Sequence, residues 1–446
     1  MVLAVAVPIM IQNGITNFVS LLDNIMVGRI GTEQMSGIAI VNQLLLVFNL
    51  AVFGAISGVG IFGAQFFGCK NNKGLQHTLR FKLYICAGIV LLGILVLIFK
   101  GDDLILLYLH GEGNDQALQM TLEYGREYLW VMLTGLLPFA VEETYASTLR
   151  ECGETKLPML AGVAAVLVNL VLNYLLIFGK FGFPELGVVG AAVATVVSRY
   201  VQAVIVIVWT HTHAKKMPFI VGAYRELKIP GQLAGNIVKR GTPLMINEIL
   251  WAAGMAMMNQ CYSMRGLDAV AALNISTTIS NLFNIVFMAM GSAISIIVGQ
   301  LLGAGKMQEA RDTDVKLIVF AVLSCLGLGG LMILVSPLFP QLYNTSSDVK
   351  HLASVLLRMA AACMPMWAFM HTTYFTLRSG GKTIVTFLFD SVFLWCVSIP
   401  VAFMLSRYTG LAIAPLYLCC QLLDLIKCVI GFILVKKGIW LQNIVA

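Results

Sequence analysis

The sequence predicts an all-α integral membrane protein with twelve transmembrane helices in two six-helix lobes, related by a parallel pseudo-two-fold repeat. Three observations lead to this prediction: long apolar runs, an uneven distribution of Lys and Arg between loops, and a match between the two halves. The 446 residues are 59% hydrophobic and only 11% charged, whereas soluble domains carry roughly 25% charged residues. Much of the surface must therefore face something other than water.

The apolar residues form continuous runs of about 20 residues, the length that crosses the hydrocarbon core as a helix. Strict alternation of apolar and polar residues is absent, which excludes a membrane β-barrel. The second and eighth runs are long, and we expect these helices to tilt or protrude. We predict twelve spans at 2–27, 36–67, 79–100, 121–148, 158–179, 187–209, 237–262, 270–302, 314–340, 352–377, 383–406 and 410–434.

The basic residues are distributed unevenly between the two sets of loops. Nineteen Lys and Arg lie in the loops that follow even-numbered spans or within four residues of these loops, and six lie in or directly beside the other loops. Because basic loops stay in the cytoplasm, we expect a multi-pass protein of the plasma (inner) membrane with both termini cytoplasmic. The net charge of +7 then needs no nucleic-acid partner. We interpret 211–236 as a cytoplasmic linker between an N-lobe, 1–210, and a C-lobe, 237–446.

An internal repeat relates the two predicted lobes. A shift of 235 residues places 8–68 over 243–303 without a gap. Six spans per half is an even number, so the repeat is parallel, as in transporters whose two bundles rock around a central site. The matched polar, Gly and Pro positions include Pro8 with Pro243, Asn24 with Asn259, Asn49 with Asn284, Gln65 with Gln300 and Gly68 with Gly303.

Charged side chains within the spans are candidates for function, because each costs roughly 3 kcal/mol in the bilayer core. Asp23 in span 1 and Glu248 in span 7 have no basic residue one turn away. We predict that both take part in ion or proton coupling. Asn169 and Asn173 lie one turn apart on span 5, and we expect them to form a polar cluster with Asp23.

Other acidic residues in the spans allow more than one interpretation. Asp424 and Lys427 are three residues apart on one helix face and can pair locally. Asp390 has no evident partner, so its role stays open. Adjacent residues on a helix point about 100° apart, so only one of Glu142 and Glu143 faces the interior comfortably.

We expect a substrate cavity that binds cationic or amphipathic small molecules. Interior acids without matching bases favour cations, and flexible or aromatic side chains, of which there are 22 Met, 24 Phe, 13 Tyr and 6 Trp, suit varied organic cations. The residues predicted to line the cavity are Glu142, Glu143, Thr195, Gln43 and Asn281.

Motifs for enzyme chemistry are absent from the sequence. The ten cysteines form no paired CxxC or Cys/His pattern, and no phosphate loop or catalytic triad occurs. We therefore expect a monomeric transporter rather than an enzyme, with H⁺ or Na⁺ as coupling ion and no cofactor. The alternatives are a flippase for lipid-linked sugars, and a channel or receptor-like membrane protein.

Several segments, taken in this order on twelve spans, resemble the multidrug and toxic compound extrusion (MATE) family. They are LDNIMVG at 22–28, GAQFFG at 63–68, GQLLG at 299–303, and the span 5 asparagines with the FGKFG run at 178–182. The resemblance covers nearly the whole chain. It implies a V-shaped pair of six-helix lobes that exports drugs or metabolites by proton or sodium antiport.

The resemblance also implies roles for individual residues. Asp23 matches the span 1 acid of the family's N-lobe, and Asn169 and Asn173 match its polar pair in span 5. Glu248 matches the span 7 acid of a sodium-linked C-lobe site in one branch. The second acid of that site is replaced here by Trp367, so we expect the ion site to lie in the N-lobe.

Overall fold

The computed structural model describes residues 2–109 and 115–446, with the side chains of residues 2, 19–21, 24, 25 and 115 left aside. Within these ranges the regular structure is helical and no strand occurs. This confirms the predicted all-α class. The side chain of Asn24, which belongs to the repeat and to the family motif, lies outside the described residues.

Fifteen α-helices follow one another in the described ranges, with two π-helical segments, Leu388–Val392 and Leu394–Ser398, between α12 and α13. Three short 3₁₀ turns occur at 180–182, 218–220 and 339–342. The helices are α1 Val2–Gly28, α2 Thr32–Gly68, α3 Asn72–Leu106, α4 Asp115–Leu133, α5 Leu136–Glu151, α6 Lys156–Phe178, α7 Gly187–Thr212, α8 Gly231–Ser263, α9 Leu267–Gly303, α10 Met307–Val335, α11 Ser347–Ser379, α12 Thr383–Phe387, α13 Ile399–Tyr408, α14 Ile413–Leu422 and α15 Asp424–Lys436.

Nine helical stretches in the described part of the chain are long and apolar enough to cross a membrane. Seven of them are α2, α3, α6, α7, α9, α10 and α11, and the other two are the runs Thr383–Tyr408 and Ile413–Lys436. α2 and α9 have 37 residues each, which corresponds to about 55 Å of helix. This exceeds the hydrocarbon thickness of roughly 30 Å, so both helices must tilt or extend beyond it.

Four predicted spans differ in detail from the helices. Span 12 is divided at Leu423 into α14 and α15. Span 4 is divided at Thr134 and Gly135 into α4 and α5. Span 9 ends at Val335, earlier than predicted, because Pro337 and Pro340 follow and cannot continue a helix. Span 11 contains the two π-helical segments, where backbone hydrogen bonds reach one residue further than in an α-helix.

The chain forms two compact units. Unit 2 comprises Ile11–Gly63 and Asn72–Ile237. Unit 1 comprises the start of the chain through Met10, the end of α2 with the following turn (Ala64–Asn71), and Val238–Ala446. α1 and α2 therefore each contribute residues to both units. The lobe boundaries predicted from the sequence remain a prediction.

Within unit 1, the ends of α2 and α9 cross in direct backbone contact. A Cβ atom on Gly68 would overlap the carbonyl oxygen of Gln300, and one on Gly303 would overlap that of Gln65. Only glycine allows so close an approach. The repeated Gln and Gly positions therefore have a structural reason, because each half supplies the glycine against which the other half packs.

The C-terminal residues are part of unit 1. Trp440 is 1% exposed, and the fully buried Gln65 donates from Nε2 to the carbonyl oxygens of Ser379 (3.0 Å) and Gln442 (3.2 Å). Its Oε1 accepts from the backbone N–H of Ile444 at 2.8 Å. Gln65, one of the positions matched in the internal repeat, therefore hydrogen-bonds to the chain after α15.

The segment between α7 and α8 packs on unit 2. Arg80 on α3 is 2% exposed and donates to the carbonyl oxygen of Ala223 at 2.5 Å. Tyr84 Oη donates to the carbonyl oxygen of Leu227 at 2.9 Å, and Tyr145 and Tyr224 bond through their hydroxyls. The polar stretch predicted as a linker is therefore attached to α3 and α5.

Large apolar side chains are exposed along the helices. Examples are Leu92 (64%), Phe99 (76%), Leu334 (73%) and Val429 (60%). Large apolar side chains exposed in such number are uncommon on soluble proteins and are typical of surfaces that contact lipid or a partner. Together with the nine long apolar stretches, it agrees with a multi-pass membrane protein.

Candidate functional site

Asp23, Asn169 and Asn173 lie together in unit 2. Asn173 Nδ2 donates to Asp23 Oδ1 at 2.8 Å. The two asparagines are one turn apart on α6, so their side chains share a face, and they are 6% and 2% exposed. Asp23, near the end of α1, is half-buried. The structure thus brings these three predicted residues into one hydrogen-bonded cluster, while their coupling role stays a prediction.

The amide of Asn169 can present either of its polar atoms to Asp23. With its nitrogen toward the carboxylate, it donates to both Asp23 oxygens at 3.0 Å. With its oxygen in that position, the oxygen accepts from Asn173 Nδ2 at 3.2 Å. An ionised carboxylate only accepts hydrogen bonds, whereas a protonated one also donates. The first orientation therefore matches ionised Asp23 and the second matches its protonated form.

Thr195 on α7 continues the cluster. Its hydroxyl lies 3.3 Å from the other polar atom of Asn169 and donates to the carbonyl oxygen of Ala191 at 3.0 Å. The hydroxyl of Tyr128 on α4 interacts with Thr195 and donates to Asn42 Oδ1 at 3.3 Å. A hydroxyl can donate or accept a hydrogen bond, so Thr195 can bond to Asn169 in either orientation of its amide.

Glu142 and Glu143 on α5 have different surroundings, as adjacent helical residues should. Glu142 is 2% exposed, and its Oε1 accepts from Gln202 Nε2 on α7 at 2.9 Å. Glu143 is half-buried and lies 3.6 Å from the guanidinium of Arg150. Glu142 therefore faces the interior of unit 2, and Glu143 pairs along its own helix.

The remaining predicted residues are not part of this cluster. Gln43 on α2 is exposed and belongs to unit 2. Asn281 on α9 is exposed and belongs to unit 1. Glu248 on α8 also belongs to unit 1, where it interacts electrostatically with Arg378 and Asp390. Their predicted roles in the cavity and in coupling stay predictions.

Sequence reasoning missed a buried ion pair in unit 2. Lys82 Nζ lies 2.5 Å from Glu151 Oε1 and donates to Ser147 Oγ at 2.7 Å. The lysine is fully buried. A Cβ on Gly60 would lie 2.7 Å from Glu151 Oε1, so this glycine leaves room for the carboxylate. Lys82 lies near the start of predicted span 3, and its contact with Glu151 joins α3 to α5, which local spacing does not show.

Possible metal ligands do not converge in the part of the chain that the structure describes. No group of three or more His, Cys, Asp or Glu side chains is placed to hold a metal ion within residues 2–109 and 115–446. The polar cluster at Asp23 contains one carboxylate and two amides. Such a cluster can exchange a proton, or contribute oxygens to a weakly held monovalent cation.

Known proteins resemble this chain over most of its length. The model of the MatE family matches residues 8–175 and 243–404, one segment in each half of the chain. A protein of Thermotoga maritima described as "Probable multidrug resistance protein NorM" is 25% identical over 92% of this chain and 86% of its own. "Probable multidrug resistance protein YoeA" of Bacillus subtilis is 26% identical over 91% of this chain and 87% of its own.

Solved structures share the fold. An outward-facing multidrug resistance MATE family transporter of the MOP superfamily superposes with a TM-score of 0.86 at 18% identity, over 98% of this chain and 94% of its own. A MOP superfamily transporter from Pyrococcus furiosus gives the same TM-score at 19% identity, with 98% and 95% covered. With the family match over both halves, these findings show that the chain is a membrane transporter of the MATE family of multidrug efflux proteins.

Proposed function

We propose that this transporter is a secondary active exporter that exchanges cationic or amphipathic small molecules for protons or sodium ions at Asp23. The observation that carries the proposal is the cluster in which two buried asparagines face one half-buried carboxylate. An acid inside a span is costly unless it has a function or a partner. Here the partners are neutral amides, which leave the charge of Asp23 free to change.

The cluster can stabilise both charge states of Asp23. Ionised Asp23 accepts from Asn173 and from the Asn169 amide, and protonated Asp23 donates to Asn169 after its amide has rotated. The Thr195 hydroxyl can accept a hydrogen bond from Asn169 or donate one to it, so it can bond to both orientations of the amide. Coupling requires that ion binding favours one conformation over another, and this rearrangement of bonds between α1 and α6 provides such a difference.

The proposed architecture has twelve spans in two six-helix lobes that alternate in access around a central path. Nine of the twelve proposed spans are the long apolar stretches. The other three are α1, α4 together with α5, and α8. The parallel repeat supports this count, because matched helices should have the same membrane position. α1 and α8 are matched in the repeat, and each contains a proline in the helix, Pro8 and Pro243.

We place the chain in the plasma (inner) membrane with both termini in the cytoplasm, as a monomer. The support is the excess of Lys and Arg in one set of loops. No cofactor other than the coupling ion is proposed. Glu142 is a candidate for contact with the substrate's positive charge, and the relatives' names support drugs as substrates. They do not favour the lipid-linked sugar flippase.

Purified protein in proteoliposomes tests the proposal. A fluorescent organic cation is loaded, and a proton or a sodium gradient is imposed separately. Efflux that follows one gradient and stops when that gradient is collapsed supports antiport and identifies the ion. Flux that ignores both gradients would indicate a channel, and scrambling of labelled lipid without cation efflux would indicate a flippase.

A further inference from the structure

An open cavity with basic side chains lies in unit 1, between the chain that follows α10 and the first half of α11. Its volume is about 360 Å³, within the range of cavities that hold small ligands, about 300–1,000 Å³. The lining includes two residues after α10 and four from α11, namely Pro337, Gln341, Lys350, His351, Ser354 and Arg358. These residues are separate from those assigned to the proposed function.

The polar lining residues of α11 share one face of the helix. Lys350, Ser354 and Arg358 follow one another at intervals of four residues, and His351 lies three residues before Ser354. Side chains three or four residues apart on a helix are neighbours. The row from Lys350 to Arg358 is about 12 Å long, because a helix rises about 1.5 Å per residue. One wall of the cavity is therefore a continuous basic and polar stripe.

The guanidinium of Arg358 is held in place by a buried serine at the end of α10. Arg358 Nε donates to Ser336 Oγ at 3.0 Å. Ser336 is fully buried, its hydroxyl donates to the carbonyl oxygen of Ile333 at 2.7 Å, and its own carbonyl oxygen accepts from Ser354 Oγ at 2.8 Å. Among the residues that the structure describes, neither terminal nitrogen of Arg358 has a hydrogen-bond partner. Such a pair of N–H groups matches two oxygens of a phosphate or carboxylate.

The charge of the cavity is positive and has no internal counterion. Lys350 and Arg358 are cations, and His351 has an N–H to donate in either of its charge states. Within the described part of the chain, no acid lines the cavity and no ion pair involves these residues. Asp348, the acid nearest in sequence, is exposed and is not among the lining residues. The cavity therefore favours an anionic ligand.

The position of the cavity in the membrane indicates which anion is available. Leu338 and Leu342, which directly follow two of the lining residues in the chain, are 67% and 77% exposed, as expected for side chains that contact lipid. Arg358 lies about 9 Å from the start of predicted span 10, 352–377. A long basic side chain near the end of a membrane helix extends toward the lipid head groups. The cavity follows an odd-numbered span, so the proposed orientation places it at the outer leaflet.

We propose that this cavity binds the phosphate group of an anionic phospholipid. The phosphate oxygens accept from the terminal nitrogens of Arg358 and from Lys350 Nζ, while the acyl chains lie against the exposed leucines. A zwitterionic lipid brings its own positive charge into a basic cavity and binds more weakly. Free phosphate lacks the acyl chains and also binds more weakly. The site does not depend on antiport, so its failure would leave the proposed coupling at Asp23 unaffected.

Thermal unfolding of the purified, delipidated full-length protein in detergent tests the site, because a ligand that binds the folded state raises the unfolding temperature with its concentration. The probes are phosphatidylglycerol, phosphatidylcholine with the same acyl chains, and inorganic phosphate. The variants are Arg358→Gln and Lys350→Gln. The control is Arg407→Gln, at an exposed arginine on the same predicted side that contacts Phe403 and does not line the cavity.

We expect phosphatidylglycerol to stabilise the wild type and Arg407→Gln at equal concentrations, and Arg358→Gln only at concentrations roughly tenfold higher, because a charge-assisted bidentate pair is lost. Lys350→Gln should show a smaller shift in the same direction. Phosphatidylcholine and inorganic phosphate should stabilise the wild type only at higher concentrations. Equal stabilisation of the wild type and both cavity variants by phosphatidylglycerol would overturn the site. Inorganic phosphate as effective as phosphatidylglycerol would show a site for soluble anions and would contradict the lipid occupant.

Photolabelling locates the bound lipid independently. Phosphatidylglycerol with a photoreactive group on its head group is added to the same protein, and the labelled peptides are identified by mass spectrometry. We expect label within 337–358, reduced in Arg358→Gln and unchanged in Arg407→Gln. If Arg358→Gln does not fold, Lys350→Gln and the labelling of the wild type still decide the question. Label confined to other parts of the chain would contradict the proposal.

Discussion

Asp23 and Asn173, which are 150 residues apart in the chain, are joined by a hydrogen bond of 2.8 Å. This bond links the end of α1 to α6, and Asn169 adds a second amide one turn away. Hydrogen bonds to charged groups contribute about 1.5–3 kcal/mol. The protonation or ion occupancy of one carboxylate therefore changes the attraction between two helices.

The first prediction concerns Asn173. Its replacement by Ala removes the donor to Asp23, and we expect coupled export in proteoliposomes to fall roughly tenfold or more, because about 1.4 kcal/mol corresponds to a factor of ten. Asn173→Gln should retain more activity than Asn173→Ala, since its side-chain amide can still donate to Asp23. Equal export by Asn173→Ala and wild type would contradict a role for this bond.

The second prediction concerns the buried pair of Lys82 and Glu151. Lys82→Met leaves a buried carboxylate without its cation, and such changes cost about 3–5 kcal/mol. We expect a clear loss of thermal stability in detergent, most of which the double variant Lys82→Met/Glu151→Met should recover. The control is Lys100→Met, which removes an exposed pair with Asp103 and should change stability by less than about 1 kcal/mol. Similar losses in both single variants would refute this account.

The third prediction concerns the attachment of the C-terminal residues. Gln65→Ala removes three hydrogen bonds to residues at 379, 442 and 444 and leaves buried backbone groups unpaired, at about 1–3 kcal/mol for each such group. We expect a lower unfolding temperature and faster proteolysis after α15. Gln341→Ala, at an exposed glutamine, is the control. Unchanged proteolysis in Gln65→Ala would show that the tail is held by other contacts.

The fourth prediction concerns orientation in the membrane. Cys69 is exposed in the turn after α2, on the side predicted to be cytoplasmic. With the other cysteines replaced by Ser, a membrane-impermeant maleimide should label Cys69 only in permeabilised cells. A Ser263→Cys variant in the same background, without Cys69, should be labelled in intact cells, because Ser263 ends α8 on the opposite side. The reverse pattern would show that the positive-inside assignment is wrong.

Part of the site was predictable from local spacing alone. Asn169 and Asn173 share a face because residues four apart on a helix are neighbours, and an unpaired acid in an apolar run identified Asp23. The bond of Asp390 to Asn247 spans 143 residues and depends on a π-helical segment that periodicity does not show. Lys82 likewise meets Glu151 across 69 residues, a contact between α3 and α5 that local spacing does not show.

The most direct test of coupling at Asp23 is the efflux of an organic cation from proteoliposomes that contain Asp23→Asn, driven by the gradient that drives the wild type. The variant preserves size and hydrogen bonding but cannot change its charge. We predict that gradient-driven efflux is lost while the protein remains folded and inserted, with Asp102→Asn, at an exposed acid, retaining wild-type efflux. Full gradient-driven efflux by Asp23→Asn would contradict the account.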